Sequence, residues 1–261
     1  MTRLHESDIH MISRKLYDYD KTLMAQTGKN LFEIGCYAMR RQPDLAKCKV
    51  AAIPITTGIG IISGFSQTVA SIVRYLGAEA FTTEGTDVAG LEEAYAKEAQ
   101  IIFTADDNTF GAFNVQTGIF SDNGSATGRG FAAALELATN KIDQPVLVLG
   151  VGPVGQAAAQ YLSEKAFEVY VYDINWYKAE QLKTRLPNIH VLTQWQNKAW
   201  PYIIDATTAG NFIPPEAVYE GAIIAAPGMP LGVPKETADR CRQVIHNPLE
   251  LGVAAMLCEV A

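Results

Sequence analysis

An apolar run from Val146 to Leu149 ends in Gly150-Val151-Gly152-Pro153-Val154-Gly155, and a helical pattern follows at once. Strand, G-x-G-x-x-G and helix in that order leave few folds open, because each glycine answers a different steric demand. Gly150 permits the tight strand-to-helix turn, Gly152 lets a diphosphate approach the backbone, and Gly155 lets the helix pack on the strand. With Val154, these glycines face the helix start, whose N–H groups and partial positive charge suit an anion. Pro153 falls in the first helical turn, where its missing N–H costs nothing. The next apolar strand, Val169 to Tyr172, is closed by Asp173, a residue type that accepts hydrogen bonds from the adenosine ribose. A carboxylate there repels a 2′-phosphate, and Ile174, Asn175 and Trp176 supply no Arg to offset it. The motif therefore predicts NAD rather than NADP. A glycine-rich turn with no ligand is the competing reading of the glycines alone, and the flanking strand, helix and Asp173 disfavour it.

The rest of this half follows the same plan. Strands are expected over 190–192, 202–205, 222–225 and 244–246, with a helix over 176–185. Ligands in such sheets sit at the carboxyl ends of strands, so Thr207, Thr208, Ala226 and Pro227 join Ile174 as candidate cofactor contacts. Each of these four also suits a plain connecting turn.

The first half supplies a different pattern. Ile9, Ile12, Leu16, Tyr19 and Leu23 recur three and four apart, which predicts a helix over 7–24 that Gly28 ends. A second helix is expected over 30–40. Strands over 50–56, 80–83 and 101–105 then alternate with helices over 66–76 and 90–99, the signature of βαβ units. Residues 106–128, rich in Asp, Asn, Gly, Ser and Thr, read as loop, and 130–140 as a connecting helix. The expected fold is α/β: an N-terminal α/β substrate and catalytic domain (1–126), a connecting helix (127–142), a C-terminal Rossmann dinucleotide-binding domain (143–247), and a C-terminal helix (248–261) packing back at the domain junction. The length of 261 residues suits two such domains.

Composition narrows the partners. A net charge of −7 argues against nucleic acid, which needs a basic face. Cys36, Cys48, Cys241 and Cys258 form no CxxC pair and have no neighbouring His, so neither a zinc site nor a disulfide framework is expected. No stretch approaches the roughly 18 apolar residues of a membrane span. The expectation is a cytoplasmic protein acting on a small molecule, without metal, and a homodimer on base rates alone.

Three stretches carry candidate chemistry. Asp106 and Asp107 follow the strand over 101–105, where side chains reach a ligand, although paired Asp residues also suit an exposed turn. Asp122 to Gly128 is polar ahead of the connecting helix, and Asp122 or Ser125 can simply cap it. Phe65 and Ser66 open a helix whose N–H groups can hold a substrate carboxylate. The histidines His5, His10, His190 and His246 are dispersed, and Tyr17 with Lys21 reads as a solvated helix face.

Residues 56–70, Ala105 to Phe110 and Asp122 to Gly128 together resemble the dehydrogenase family that completes pyrrolysine biosynthesis. The resemblance runs over most of the chain. It implies an NAD-dependent oxidation of 3-methylornithyl-N6-lysine, a dipeptide-like substrate whose terminal amine becomes an imine, loses ammonia and is closed into a ring by the α-amine. An ammonium cannot give up hydride before it loses a proton, so a positioned carboxylate is needed. Asp106 is the expected catalytic residue, pointing toward the substrate, with Asp107 turned the other way if extended geometry persists. Phe65 would wall the apolar part of the substrate and Asn123 would hydrogen-bond its polar end. Ser66, Ala105 and backbone near Leu4 and His5 complete the expected substrate contacts. Two other readings remain: a methylene-tetrahydrofolate- or shikimate-like dehydrogenase, whose catalytic Lys has no convincing counterpart here, and a non-catalytic NAD-binding sensor.

Overall fold

The computed structural model describes residues 6–58, 60–139 and 143–261 and divides into two compact units. The first takes the chain up to Thr22, Asn30–Ala126 and Leu249–Ala261; the second takes Leu23–Lys29 and Thr127–Pro248. Leu4 and His5 lie outside the described residues.

The helix α1 (Glu6–Thr27) belongs to the first unit up to Thr22 and buries Ile9, Ile12 and Leu16 of the three-and-four pattern. The helix α2 (Leu31–Met39) starts in a capping box: Asn30 Oδ1 accepts from the Glu33 amide at 2.9 Å, and Glu33 Oε2 accepts from the Asn30 amide at 2.8 Å. Then come β1 (Lys49–Ile53), α3 (Phe65–Tyr75), β2 (Glu79–Thr82), α4 (Asp87–Ala96), β3 (Ile101–Ala105), β4 (Phe110–Asn114) and β5 (Phe120–Asp122). The sheet runs β2-β1-β3-β4-β5, with β1 parallel to β2 and β3, and β4 antiparallel to β3 and β5. Parallel neighbours need crossovers, and α3 and α4 supply them. Ala51, Ile53 and Ile102 point to one face and form a cluster with Ala94 of α4 and Ala99.

The helix α5 (Asn123–Ala138) follows β5 without a break. The stretch 106–128 is therefore not a loop but a turn, an antiparallel pair and the start of a helix. β5 has only three residues, too few to show alternation, and Gly111 of β4 is packed under the Phe120 ring where a side chain would not fit. Glycines at 124, 128 and 130 thin the helical pattern.

The second unit is a six-stranded parallel sheet. Its elements are β6 (Val146–Leu149), α6 (Pro153–Glu164), β7 (Val169–Tyr172), α7 (Trp176–Arg185), β8 (His190–Val191), β9 (Trp200–Asp205), β10 (Val218–Ala226), α8 (Lys235–Ala238) and β11 (Gln243–His246). The order β11-β10-β9-β6-β7-β8 is doubly wound, and the direction of winding reverses between β6 and β9, where such sheets bind dinucleotides. Leu147, Leu149, Trp195, Trp200, Ile203 and Ile224 form its core on one face. β10 starts four residues earlier than the sequence suggests, because the left-handed Gly221 (φ 80°) and a register shift after Val218 interrupt its pattern.

The last helix, α9 (Glu250–Val260), belongs to the first unit and packs on α2, α3, β4 and β5. Leu251 to Cys258 are all buried, as expected of an interior helix that is apolar on every side. Among the described residues no helix is long and apolar enough to cross a membrane, and no cluster of three His, Cys, Asp or Glu can hold a metal.

Candidate active site and cofactor cradle

In the second unit the three motif glycines divide the work as the sequence implies. Gly150 leaves β6 at φ 83°, a left-handed conformation that disfavours a side chain, and a Cβ there would come to 2.8 Å from the Ala206 carbonyl oxygen. Gly155 brings α6 so near β6 that a Cβ would overlap the Gly150 carbonyl. Gly152, the N-cap of α6, has nothing within 4 Å of its Cβ position, so its face is open. Pro153 is the first helical residue and Val154 the second. The amides of this first turn have no carbonyl acceptor inside the helix and suit a diphosphate. Gly128 of α5 fits only as glycine, since a Cβ would overlap the Val154 carbonyl.

Asp173, half-buried just beyond β7, braces this turn. Its Oδ2 accepts from the Val151 amide at 2.7 Å and its Oδ1 from the Asn175 amide at 2.8 Å. A carboxylate oxygen can take more than one donor, so capacity remains for ribose hydroxyls. Ile174 is 94% exposed beside it. The tight turn, the open Gly152 face and the braced carboxylate fit a dinucleotide.

Thr207, Thr208, Ala226 and Pro227 lie at the carboxyl ends of the neighbouring strands β9 and β10. Thr207 donates to Asp205 Oδ1 from its amide (3.1 Å) and its Oγ1 (2.8 Å), and the Gly228 amide donates to the Asp205 carbonyl at 2.9 Å. Asp205 is fully buried, and its Oδ2 has no hydrogen-bond partner among the described residues. Burial pushes its carboxyl up to about 6, although the Thr207 donors and the nearby Gly232 backbone favour the charged form. His246 Nδ1 lies 2.7 Å from the Ala226 carbonyl oxygen, and burial lowers the imidazole's proton affinity. Neither residue belongs to a sequence motif, and His246 is one of four dispersed histidines. Their only signal was a place at the end of an apolar strand.

In the first unit the strand register sets Ile53, Thr104, Gly111 and Asp122 in one row across β1, β3, β4 and β5. The residues just beyond that row gather at one end of the sheet: Ala105, Asp106 and Asn123. Phe65, the first residue of α3, meets Phe110 edge to face at 5.1 Å, and Phe110 pairs with Ala105. Ser66 beside it is buried. The structure thus brings Phe65, Ser66, Ala105, Asp106 and Asn123 to one end of one sheet.

Asp106 is exposed and does not continue the strand. Its amide donates to the Thr109 carbonyl at 2.9 Å, and its Oδ1 accepts from the Asn108 and Thr109 amides, each at 2.7 Å. The Thr109 amide first, then that of Asn108, holds its carboxyl below the usual carboxylate range. No described residue donates to Oδ2. Asp106 is therefore a turn residue that keeps one oxygen uncommitted. The alternation expected to carry Asp107 to the opposite side ends at Ala105; the Asp107 carboxylate lies against Gly58, whose Cβ would overlap it.

Two further residues shape this end of the sheet. Asp87 takes both the Thr56 amide (2.9 Å) and the Thr56 hydroxyl (2.6 Å), tying the glycine-rich segment to α4. Asp122 Oδ1 accepts from the Ser125 amide at 3.0 Å, so Asp122 does cap α5. Lys21 lies over the exposed Tyr17 ring at 4.4 Å, consistent with a solvated face.

Residues 8–121 match the family described as pyrrolysine biosynthesis protein PylD, N-terminal domain. A pyrrolysine synthase from Methanosarcina barkeri (strain Fusaro) is 33% identical over 261 residues, spanning 100% of this chain and 98% of that one. Among solved structures, shikimate 5-dehydrogenase from Thermus thermophilus in complex with NADP(H) and shikimate has a TM-score of 0.54 at 16% identity, covering 80% of this chain and 91% of that one. Quinate dehydrogenase from Corynebacterium glutamicum in complex with NAD has a TM-score of 0.53 at 13% identity, covering 82% and 92%. At such identities these two likenesses establish the fold alone. The match to the Methanosarcina protein runs along the whole chain at one residue in three, and the chain belongs to the pyrrolysine synthase (PylD) family.

Proposed function

We propose that this protein is an NAD-dependent amine dehydrogenase that oxidises the terminal amine of 3-methylornithyl-N6-lysine and closes the pyrroline ring of pyrrolysine. The observation that carries the reading is the full-length kinship with a pyrrolysine synthase in a chain whose glycine turn is braced by Asp173. NAD, when bound, supplies the hydride acceptor. Gly150, Gly152, Gly155 and the start of α6, with Pro153 and Val154, hold its diphosphate. Asp173 holds the adenosine ribose and repels a 2′-phosphate, and Ile174 covers the adenosine edge. Thr207, Thr208, Ala226 and Pro227 line the nicotinamide end.

The first unit handles the substrate. Oδ2 of Asp106 pairs with the terminal ammonium, because that oxygen carries charge and no other described donor. Held below the usual carboxylate range, Asp106 stays ionised at neutral pH and keeps a proton poorly. It therefore passes the ammonium proton on to water rather than storing it. The neutral amine can then release hydride from its carbon, leaving an imine on the substrate. The substrate's own α-amine adds to that carbon, ammonia leaves, and the five-membered ring closes with a C=N bond. Phe65 gives the site an apolar wall, the start of α3 at Ser66 and the Ala105 backbone bound it, and the Asn123 amide holds the polar end.

Purified protein mixed with the dipeptide and NAD should yield NADH, ammonia and pyrrolysine, with NADP a poor substitute. Shikimate and methylene-tetrahydrofolate should give no reduced cofactor; turnover of either in place of the dipeptide would overturn the proposal.

A further inference from the structure

Two of the four cysteines meet inside the first unit. Cys36 Sγ on α2 lies 3.6 Å from Cys258 Sγ on α9, across a sequence separation of 222 residues. The two helices approach to backbone contact here: a Cβ on Gly35 would come to 2.9 Å from the Ala254 carbonyl oxygen and 3.0 Å from the Cys258 sulfur. Helices this close can bring neighbouring Cβ atoms into the range of about 3.5–4.5 Å that a disulfide requires. Cys48 and Cys241 have no such arrangement; each sulfur faces the carbonyl four residues before it, Asp44 at 3.7 Å and Thr237 at 3.2 Å.

We propose that Cys36 and Cys258 form a reversible disulfide that fastens the C-terminal helix to α2. The inference is independent of the cofactor and substrate reading. Access sets the order of events, since Cys36 is half-buried and Cys258 is fully buried. The Cys258 S–H can donate to the Cys36 sulfur, or to the Phe32 carbonyl at 3.8 Å. Donation to Cys36 lowers its thiol's proton affinity and raises that of Cys258. Cys36 is then the thiolate that attacks first. With a small disulfide such as oxidised glutathione as oxidant, Cys36 displaces one glutathione thiolate and becomes a mixed disulfide. Cys258 gives up its proton, attacks the Cys36 sulfur and displaces the second glutathione. Two protein thiols are oxidised, and one glutathione disulfide is reduced to two thiols.

The bond would reinforce polar ties already gathered at the end of α9. Ser121 Oγ donates to Glu259 Oε2 at 2.5 Å, Asn114 Nδ2 donates to the Val260 carbonyl at 2.8 Å, and Arg41 donates to the Glu259 carbonyl. A cross-link that closes so long a loop restricts the unfolded chain strongly.

The test treats the full-length protein with oxidised glutathione, quenches it in acid, and maps cysteines by mass spectrometry without reductant. Two of the four thiols should disappear into a Cys36–Cys258 peptide, dithiothreitol should restore them, and the oxidised form should melt at higher temperature. Cys258→Ser should stall with glutathione on Cys36, and Cys36→Ser should leave Cys258 unmodified. Absence of the linked peptide at every oxidant level that leaves the protein folded would overturn the proposal. So would its appearance only in urea, or an oxidised form that melts no higher than the reduced one. The wild-type arms decide the matter even if a variant fails to fold.

Discussion

Replacing Asp205 with Asn should flatten the pH dependence of stability in the weakly acidic range. Asp205 ends β9 fully buried, with Oδ1 satisfied by Thr207 and Oδ2 without a partner among the described residues. Its carboxyl titrates at about 6 in the fold, against an ordinary 3.8. A raised value means that the folded state holds the proton more tightly than the unfolded chain does. The stabilisation that comes from that proton is therefore complete below about pH 4 and is lost as pH climbs through about 6. A tenfold change in proton affinity is worth about 1.36 kcal/mol, so ionising Asp205 costs the fold about 3 kcal/mol by neutral pH. Asn keeps an acceptor for Thr207 and never ionises. The stability of Asp205→Asn minus that of the wild type should therefore rise by about 3 kcal/mol from below about pH 4 to pH 7, with half of the rise reached near about pH 5, midway between the unfolded and folded values. At about 2–4 °C per kcal/mol this is a relative gain of roughly 6–12 °C in Tm. Calorimetry of both proteins across that range is the assay, and other titrating groups cancel in the difference. Two stability curves that run parallel from about pH 4 to pH 7 would mean that Asp205 takes up no extra proton in the fold.

Other substitutions probe the two halves of the proposed machinery. Asp106→Asn keeps an acceptor for the Asn108 and Thr109 amides but removes the charge, so turnover should fall by at least about 100-fold while NAD binding is unchanged; unaltered kcat would remove Asp106 from the mechanism. Asp173→Ala should weaken NAD binding by about 10- to 100-fold through loss of charge-assisted hydrogen bonds, with NADP much less affected. Titration calorimetry that finds the NAD preference intact would assign selectivity elsewhere. Gly128→Ala drives a Cβ into the Val154 carbonyl and should cost about 1–3 kcal/mol, read as a lower Tm together with weaker NAD binding. An unchanged Tm would mean that α5 and α6 part without cost.

The sequence was most legible where apolar runs are short, dense and sharply bounded. Val146–Leu149, Val169–Tyr172, Trp176–Arg185 and Ile101–Ala105 stand in the structure with the bounds their residues imply. It was least legible where a boundary depends on a distant partner. α4 starts at Asp87, three residues before the expected point, because Thr56 holds the Asp87 carboxylate from 31 positions away. Residues 106–128 hid two strands for another reason: each pairs with its neighbour in the chain, but β5 has only three residues and β4 carries Gly111 under the Phe120 ring, so neither shows clean alternation. At the candidate site the residue types could be read but not their bonding. Asp106 stood out for its place after β3, yet the Thr109 amide that sets its acidity is visible only in the folded turn. Asp205 only closed an expected strand and His246 counted as one of four dispersed histidines, because an ionisable residue at a strand end becomes unusual only once its burial is known.

Whether hydride leaves the terminal amine carbon of the dipeptide can be read directly from isotope labels. The substrate carries two deuterons on that carbon, and the products of a single turnover with NAD are analysed by mass spectrometry. One deuteron should appear on the reduced nicotinamide and one should remain on the C=N carbon of the pyrroline ring. Reduced nicotinamide without deuterium, or a ring carbon that keeps both labels, would contradict hydride loss from that carbon.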